Sequence, residues 1–332
     1  VKTCLVTGGA GFIGSHLIER LLADGHRVIA VDDESTGARG NLSGATQNPR
    51  FEYVAGDVAD RELMAGVVDR ADVIYHLAAA VGVALVAKDP IACIERNVEP
   101  TRFLLSRATE RLREGNDVRF FLASTSEAYG KNPKPVWSED DDLVFGPTTR
   151  SRWSYGASKA IDEFLALGHF RQHGLPAVIG RFFNVVGPRQ SGAYGMVLPR
   201  FVDAALAGKP LVVHDDGQQV RCFSHVQDVI RAVVGLTENE AAAGRVFNIG
   251  SDRPVSILEL AQRVIAATGS ASTVSFQSYS DAYDADFEDV RRRVPDLTRL
   301  KQTIGWEASI DLDGIVRDVI SWRKALRAGE PA

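Results

Sequence analysis

The chain has 332 residues, 45% of them hydrophobic, with a formal net charge of -5 and a pI near 5.9. This supports a sizeable core in one large or two medium domains, and argues against nucleic acid or an anionic membrane surface as the main partner. No apolar run approaches the ~18–20 residues that span a bilayer, and Cys4, Cys93 and Cys222 have neither metal-ligand spacing nor an even disulfide framework.

The N-terminus enters a strand directly, so the expectation is a cytoplasmic protein without a signal peptide and without a metal. Leu5-Val6-Thr7 ends a buried-strand pattern, Gly8-Gly9-Ala10-Gly11-Phe12-Ile13-Gly14 follows at once, and Leu17, Leu21 and Leu22 give helical periodicity up to Gly25. Strand, glycine turn and helix form the context of a dinucleotide-binding fingerprint. Gly8 permits the tight turn, Gly11 lets the backbone approach a pyrophosphate, and Gly14 allows close helix–strand packing. The helix N-terminus then offers its N–H groups to the anion. A second strand, Arg27 to Val31, ends on Asp32, eighteen residues after Gly14. A carboxylate there accepts both ribose hydroxyls of NAD and repels a 2′-phosphate; Asp33 and Glu34 add to that repulsion, so NAD is preferred over NADP.

The alternation continues. Phe51 to Val54 reads as a third strand, followed by Gly56-Asp57-Val58, where Asp57 either meets an adenine or caps a helix over Arg61 to Val68. Asp72 to Leu77 is a fourth strand, and Ala78-Ala79-Ala80 after it lets a flat cofactor lie close. His76 reads as a packed strand-end residue rather than a catalyst. A long helix is expected from Pro90 to Arg113, carrying Asn97, and a fifth strand from Val118 to Ala123, leading into Ser124-Thr125-Ser126-Glu127.

The loop Lys131 to Arg152 contains three prolines and an acidic run, Glu139 to Asp142, read as surface. Ser154-Tyr155-Gly156-Ala157-Ser158-Lys159 then opens a helix. The four-residue spacing puts the phenol and the ammonium on one face, about 5–6 Å apart at their β-carbons. A free phenol titrates near ~10, and a close lysine charge favours the phenolate. A sixth strand, Ala177 to Phe182, ends in Phe183-Asn184-Val185-Val186-Gly187-Pro188-Arg189. So regular an alternation predicts an α/β fold, a Rossmann-type doubly wound parallel sheet over residues 1–187. Residues 188–332, with short strands mixed among helices, read as a smaller mixed α/β lobe over the carboxyl ends of the strands, from which some elements can return to the first domain. Tyr279 to Glu288 reads as a polar flap.

As a set, the Gly8/Gly11/Gly14 turn, Asp32, Asp57-Val58, His76-Leu77-Ala78-Ala79, Thr125, Tyr155 with Lys159, and Arg181 to Arg189 resemble an extended short-chain dehydrogenase/reductase of the NAD-dependent nucleotide-sugar epimerase/dehydratase type. The resemblance implies that Tyr155 is the base, Lys159 holds the ribose and lowers the tyrosine pKa, and Thr125 hydrogen-bonds the sugar. It implies a tightly bound, recycled NAD held by Gly8, Gly11, Phe12, Ile13, Gly14 and Asp32. Asp57, Val58, Leu77, Ala78 and Ala79 join that set, as do Asn97, Ser124, Tyr155, Lys159 and Val185. Asn184 and Arg221 are expected at the nucleotide diphosphate. A homodimer through the helices near 90–113 and 153–173 follows by analogy.

A finer resemblance rests on Ser124-Thr125-Ser126-Glu127, Arg152-Trp153-Ser154-Tyr155, Arg221-Cys222-Phe223 and the tail Glu288 to Asp296, which contains Arg293. Together these look like enzymes acting on UDP-glucuronate, the decarboxylases and the apiose/xylose synthases, in which the residues matching Glu127 and Arg221 are implicated in decarboxylation and proton transfer. Ser126, Arg152, Asn184, Arg189, Arg221 and Arg293 are thus the expected substrate contacts, with ion pairing as the other role for Arg152 and Arg221. Val81 to Ala87 departs from this pattern. Decarboxylases carry a hydroxyl-rich loop with a tyrosine there, and this apolar stretch is more like a 4-epimerase.

The expected chemistry begins with Tyr155 taking the 4-hydroxyl proton as carbon 4 is oxidised. A uronate then becomes a β-keto acid and loses carbon dioxide without a metal. Glu127, or a water it holds, is the candidate for returning a proton to carbon 5. UDP-glucuronate decarboxylation is the preferred reading, ahead of UDP-sugar 4-epimerisation and 4,6-dehydration. A non-catalytic NAD sensor stands apart from these, because the chain keeps both Tyr155 and Lys159.

Overall fold

Along the central strands successive side chains point to opposite faces, and both faces are apolar. In β1 (Thr3–Thr7) Cys4 and Val6 enter one core cluster and Leu5 the other; in β2 (Arg27–Asp32) Val28 and Ala30 part from Ile29 and Val31 in the same way. A strand buried on both sides requires helices on both sides, and the computed structural model, which describes residues 1–80, 89–192, 196–279 and 288–329, has them. On one face lie α1 (Phe12–Ala23) and α6 (Val226–Glu238), packed through residues such as Leu17, Leu21, Val229 and Val233. On the other lie α2 (Arg61–Val68), α3 (Pro90–Arg113) and α4 (Ser154–His173), through Met64, Leu104, Leu105 and Ala166.

The sheet has seven parallel strands in the order β11-β6-β5-β4-β1-β2-β3. These include β3 (Phe51–Ala55), β4 (Val73–His76), β5 (Arg119–Thr125), β6 (Ala177–Phe182) and β11 (Arg245–Ile249). The order reverses between β1 and β4, where an open α/β sheet forms a ligand crevice at the carboxyl ends of its strands.

A smaller unit packs around Phe201, Val213, Leu260 and Ile315. It comprises α5 (Val197–Leu206), β8 (Leu211–His214), β9 (Val220–Cys222), β12 (Pro254–Ser256), α7 (Ile257–Thr268), β13 (Val274–Gln277) and α9 (Leu312–Ala328). The strand expected in the lobe near Val246 is β11, at the edge of the large sheet beside β6. α6 and the short helix α8 (Thr298–Ile304) also return to the first core, where Leu300 and Trp306 pack. Asp228 on α6 ties this return down, accepting the N–H groups of Ser309 and Ile310.

The apolar loop Val81 to Ala87, and residues 280–287 of the polar flap, lie outside the described residues. Among the described residues no helix is long and apolar enough to cross a membrane, and no group of three or more His, Cys, Asp or Glu is placed to hold a metal ion.

Candidate active site

The glycine turn joins β1 to α1 at the point where the strand order reverses. Gly8 has φ +71°, and a β-carbon there would stand 2.9 Å from the Ala78 nitrogen at the end of β4. A β-carbon at Gly14 would lie 2.1 Å from the Gly8 carbonyl oxygen, so only hydrogen fits between helix and turn. No side chain caps the start of α1 and no acidic residue lies in its first turn, which leaves the Phe12 end of the helix suited to an anion.

Asp32, at the end of β2, is buried and accepts the N–H groups of Ala10 at 2.9 Å and Glu34 at 2.7 Å. Burial raises its pKa, against those two hydrogen bonds. Asp57 accepts the Ala59 N–H and does not cap α2; Asp60 does, accepting from Glu62 and Leu63. The sequence offered two aspartates three residues apart, and the cap falls to the one adjoining Arg61. Val58 packs against the second core cluster, Leu77 and Ile13 against the first.

A buried polar chain ties these strand ends to the helices behind them. The Thr7 hydroxyl oxygen accepts the N–H groups of Leu77 and Ala78, so its proton goes to His76 Nδ1 at 2.8 Å. That fixes the proton of His76 on Nε2, which faces Thr101 Oγ1 on α3 at 3.0 Å. Burial, with the Lys159 charge, lowers the His76 pKa to about 3, so the imidazole is neutral, as expected of a packed strand-end residue. Asn97 spends its side chain on structure: Oδ1 accepts from Ala80 and Nδ2 donates to Ser158 on α4. Ser124 likewise donates to Glu163, which holds Arg181 in a buried ion pair. Val185 sits in β7 (Val185–Val186), paired with β10 (Ser224–His225).

β5 ends on Thr125, and a single 3-10 turn, Ser126–Tyr129, follows. The N-terminus of α4 docks on that turn at Gly156, where a β-carbon would lie 2.4 Å from the Glu127 carbonyl oxygen. This contact brings Thr125, Glu127 and Tyr155 together although about thirty residues separate them in the chain. Burial, then the Glu127 charge, push the Tyr155 phenol above its ordinary range, and a hydrogen bond with Thr125 opposes them. The Lys159 ammonium, on the same helix, is paired with Asp162, one helical turn on, at 2.7 Å.

Next to the phenol lies a network of buried charges. Glu127 accepts from Arg152 Nη1 at 2.7 Å and Arg293 Nη1 at 3.2 Å. Burial favours the neutral acid, but the two guanidiniums outweigh it and hold Glu127 at about 2. Asp289 takes both Nη2 contacts of Arg221 at 2.9 Å and the Tyr279 hydroxyl at 2.6 Å, and lies 3.5 Å from Arg293. Burial and the neighbouring Arg293 lower Arg221 to about 10. Three guanidiniums and two carboxylates thus share this network among the described residues. Arg293, rather than Arg221, meets Glu127. Ser126 is buried in the same turn.

Two expected substrate contacts have partners within the chain. Arg189, at φ 69°, pairs with Glu19 on α1 at 2.6 Å. Asn184, at φ 36°, donates to the Cys222 carbonyl and so joins β6's end to β9. Sequence reasoning passed over Asp162; Asp289 stood in the tail quoted above and Tyr279 at the start of the polar flap, each without a role in the site.

The chain is 39% identical over 97% of its length to the UDP-N-acetyl-alpha-D-glucosaminuronate decarboxylase of Bacillus cytotoxicus, covering 97% of that protein. It is 34% identical to UDP-glucuronic acid decarboxylase 1 of Arabidopsis thaliana, over 97% of this chain and 70% of that protein. Its fold matches the crystal structure of UDP-glucuronic acid 4-epimerase from Bacillus cereus in complex with UDP-glucuronic acid and NAD, with a TM-score of 0.86, 28% identity and coverage of 98% and 99% of the two chains. The family described as GDP-mannose 4,6 dehydratase matches residues 5–319. With that match over nearly its whole length, the chain belongs to the GDP-mannose 4,6 dehydratase family, within the extended short-chain dehydrogenase/reductase fold of nucleotide-sugar epimerases and dehydratases.

Proposed function

We propose that this protein is an NAD-dependent decarboxylase of a UDP-linked hexuronate. The observation that carries the reading is the charged network beside Thr125 and Tyr155, in which Glu127 pairs with Arg152 and Arg293, and Asp289 with Arg221 and Arg293. Guanidiniums gathered in this way suit the carboxylate and diphosphate of an anionic sugar, through bidentate contacts. The relatives named for decarboxylation of UDP-linked uronates support the same reading.

The glycine cradle fits NAD. The space at Gly8 and Gly14 admits no side chain, the start of α1 is uncapped, and Asp32 at the end of β2 is the carboxylate that would hold a ribose diol. Bound NAD would supply the two-electron acceptor for carbon 4. Tyr155 takes the 4-hydroxyl proton, a role typically worth ~10²–10⁴-fold, and Thr125 hydrogen-bonds the same oxygen. A uronate with a ketone at carbon 4 is a β-keto acid, and carbon dioxide leaves as its electrons enter the carbonyl. Thr125 and Tyr155 then hold the resulting enolate oxygen. Glu127, whose charge acts on Tyr155, or a water it holds, returns a proton to carbon 5.

The second reading, 4-epimerisation, draws on the fold match to the UDP-glucuronic acid 4-epimerase. Incubating the protein and NAD with UDP-glucuronate and UDP-N-acetylglucosaminuronate, followed by mass spectrometry, tests the two. The proposal predicts, from one of these substrates, a product lighter by carbon dioxide where the hydride returns to carbon 4, or by carbon dioxide and two hydrogens where the 4-ketone is released. A product of unchanged mass with inverted carbon 4 is the epimerase result.

We infer further that the protein is a cytoplasmic homodimer. Ile91 and Ile94 on α3, with Ile161 and Phe164 on α4, leave an exposed apolar face on two helices packed side by side. The three cysteines are free and buried, in keeping with a reducing compartment.

A further inference from the structure

Resting on the reading above, we propose that Asp162 is a positioning residue that keeps Lys159 charged inside the protein, so that the ammonium is available to the cofactor's ribose and to Tyr155. Both side chains are buried, at 2% and 0% exposure, and their contact is 2.7 Å. Among the described residues Asp162 is the hydrogen-bond partner of the Lys159 ammonium. The other groups around the lysine bring no compensating charge. His76 on β4 is held neutral by burial, and Cys93 on α3 is a thiol that burial disfavours from ionising. Thr101 on α3 spends its proton on the Asn97 carbonyl at 2.7 Å, and Asp162 Oδ1 is buried without a hydrogen-bond partner. Glu163, the next residue, is engaged by Arg181 and Ser124.

A lone ammonium in such a setting favours its neutral form. A buried carboxylate with one oxygen unpartnered is itself costly, and burial raises the Asp162 pKa. The ion pair is therefore what keeps either charge in place, and it holds the ammonium on the face of α4 that carries Tyr155. Asp162 is placed to act through Lys159 alone.

The test is the pH dependence of NAD binding to the full chain by calorimetry, which needs no turnover. Wild type is expected to bind with little change from ~pH 6 to ~pH 9, whereas Asp162→Asn matches it at the acid end and loses on the order of tenfold or more toward the alkaline end as Lys159 sheds its proton. Asp162→Glu restores the wild-type profile, and adding Lys159→Arg to Asp162→Asn flattens it, because a guanidinium stays charged throughout. Parallel profiles for wild type and Asp162→Asn, or an alkaline loss that persists with arginine at 159, overturn the proposal. If Asp162→Asn does not fold, the neutral pair Lys159→Met with Asp162→Leu is expected to fold; failure of both also overturns it. Absence of NAD binding by wild type refutes the parent reading instead.

Discussion

At neutral pH Glu127 carries its charge in the folded chain, held at about 2 against an ordinary 4.5 by Arg152 and Arg293. A lowered carboxylate pKa stabilises the fold fully above the unfolded value, and that stabilisation is lost as pH falls toward the folded one. Glu127→Gln is therefore expected to lower stability at neutral pH by on the order of 3 kcal/mol, because it leaves two guanidiniums without their carboxylate. In thermal melts the gap from wild type should be constant above about pH 4.5 and close as pH falls toward about 2. A gap of the same size at every pH would mean that the ion pairs are not its source.

Among the elements, α4 matters most because its first turn must touch the 126–129 turn. Gly156→Ala places a methyl group 2.4 Å from the Glu127 carbonyl oxygen, so backbone must move and Tyr155 moves with it. Turnover should fall by more than tenfold, the scale on which small misplacements at a reacting centre act, while NAD affinity changes little. Asp60→Ala provides the contrast. It removes the cap of α2 and costs about 1 kcal/mol, read as a lower Tm with activity intact. Much at this scale was legible in the sequence. Asp89 before Pro90 starts α3 where expected, through a side-chain bond to the Ala92 N–H and a proline in the first turn. α8 was not legible, since its cap makes no side-chain bond and Leu300 is its one buried residue. Nor was the return of β11, because parallel edge pairing leaves no mark in local periodicity. The partners of the site's charges were hidden for the same reason: Glu127 and Arg293 are separated by 166 residues and meet only through the fold.

At the scale of the whole molecule, the exposed face on α3 and α4 makes the dimer testable. Phe164, 71% exposed, should lie at its centre. Phe164→Glu is expected to convert a dimer to a monomer in sedimentation velocity, and a wild-type chain that sediments as a monomer would contradict the dimer. The central claim concerns the whole site acting together: a phenol in α4, a threonine at the end of β5 and the arginines Arg152, Arg221 and Arg293, brought from three parts of the chain onto one uronate. Its most direct measurement uses a UDP-linked uronate carrying carbon-13 in the carboxyl group. The account predicts labelled carbon dioxide from wild type, and a rate lower by ~10²–10⁴-fold from Tyr155→Phe with NAD still bound. Label that stays on the sugar, or equal release from the two proteins, would contradict it.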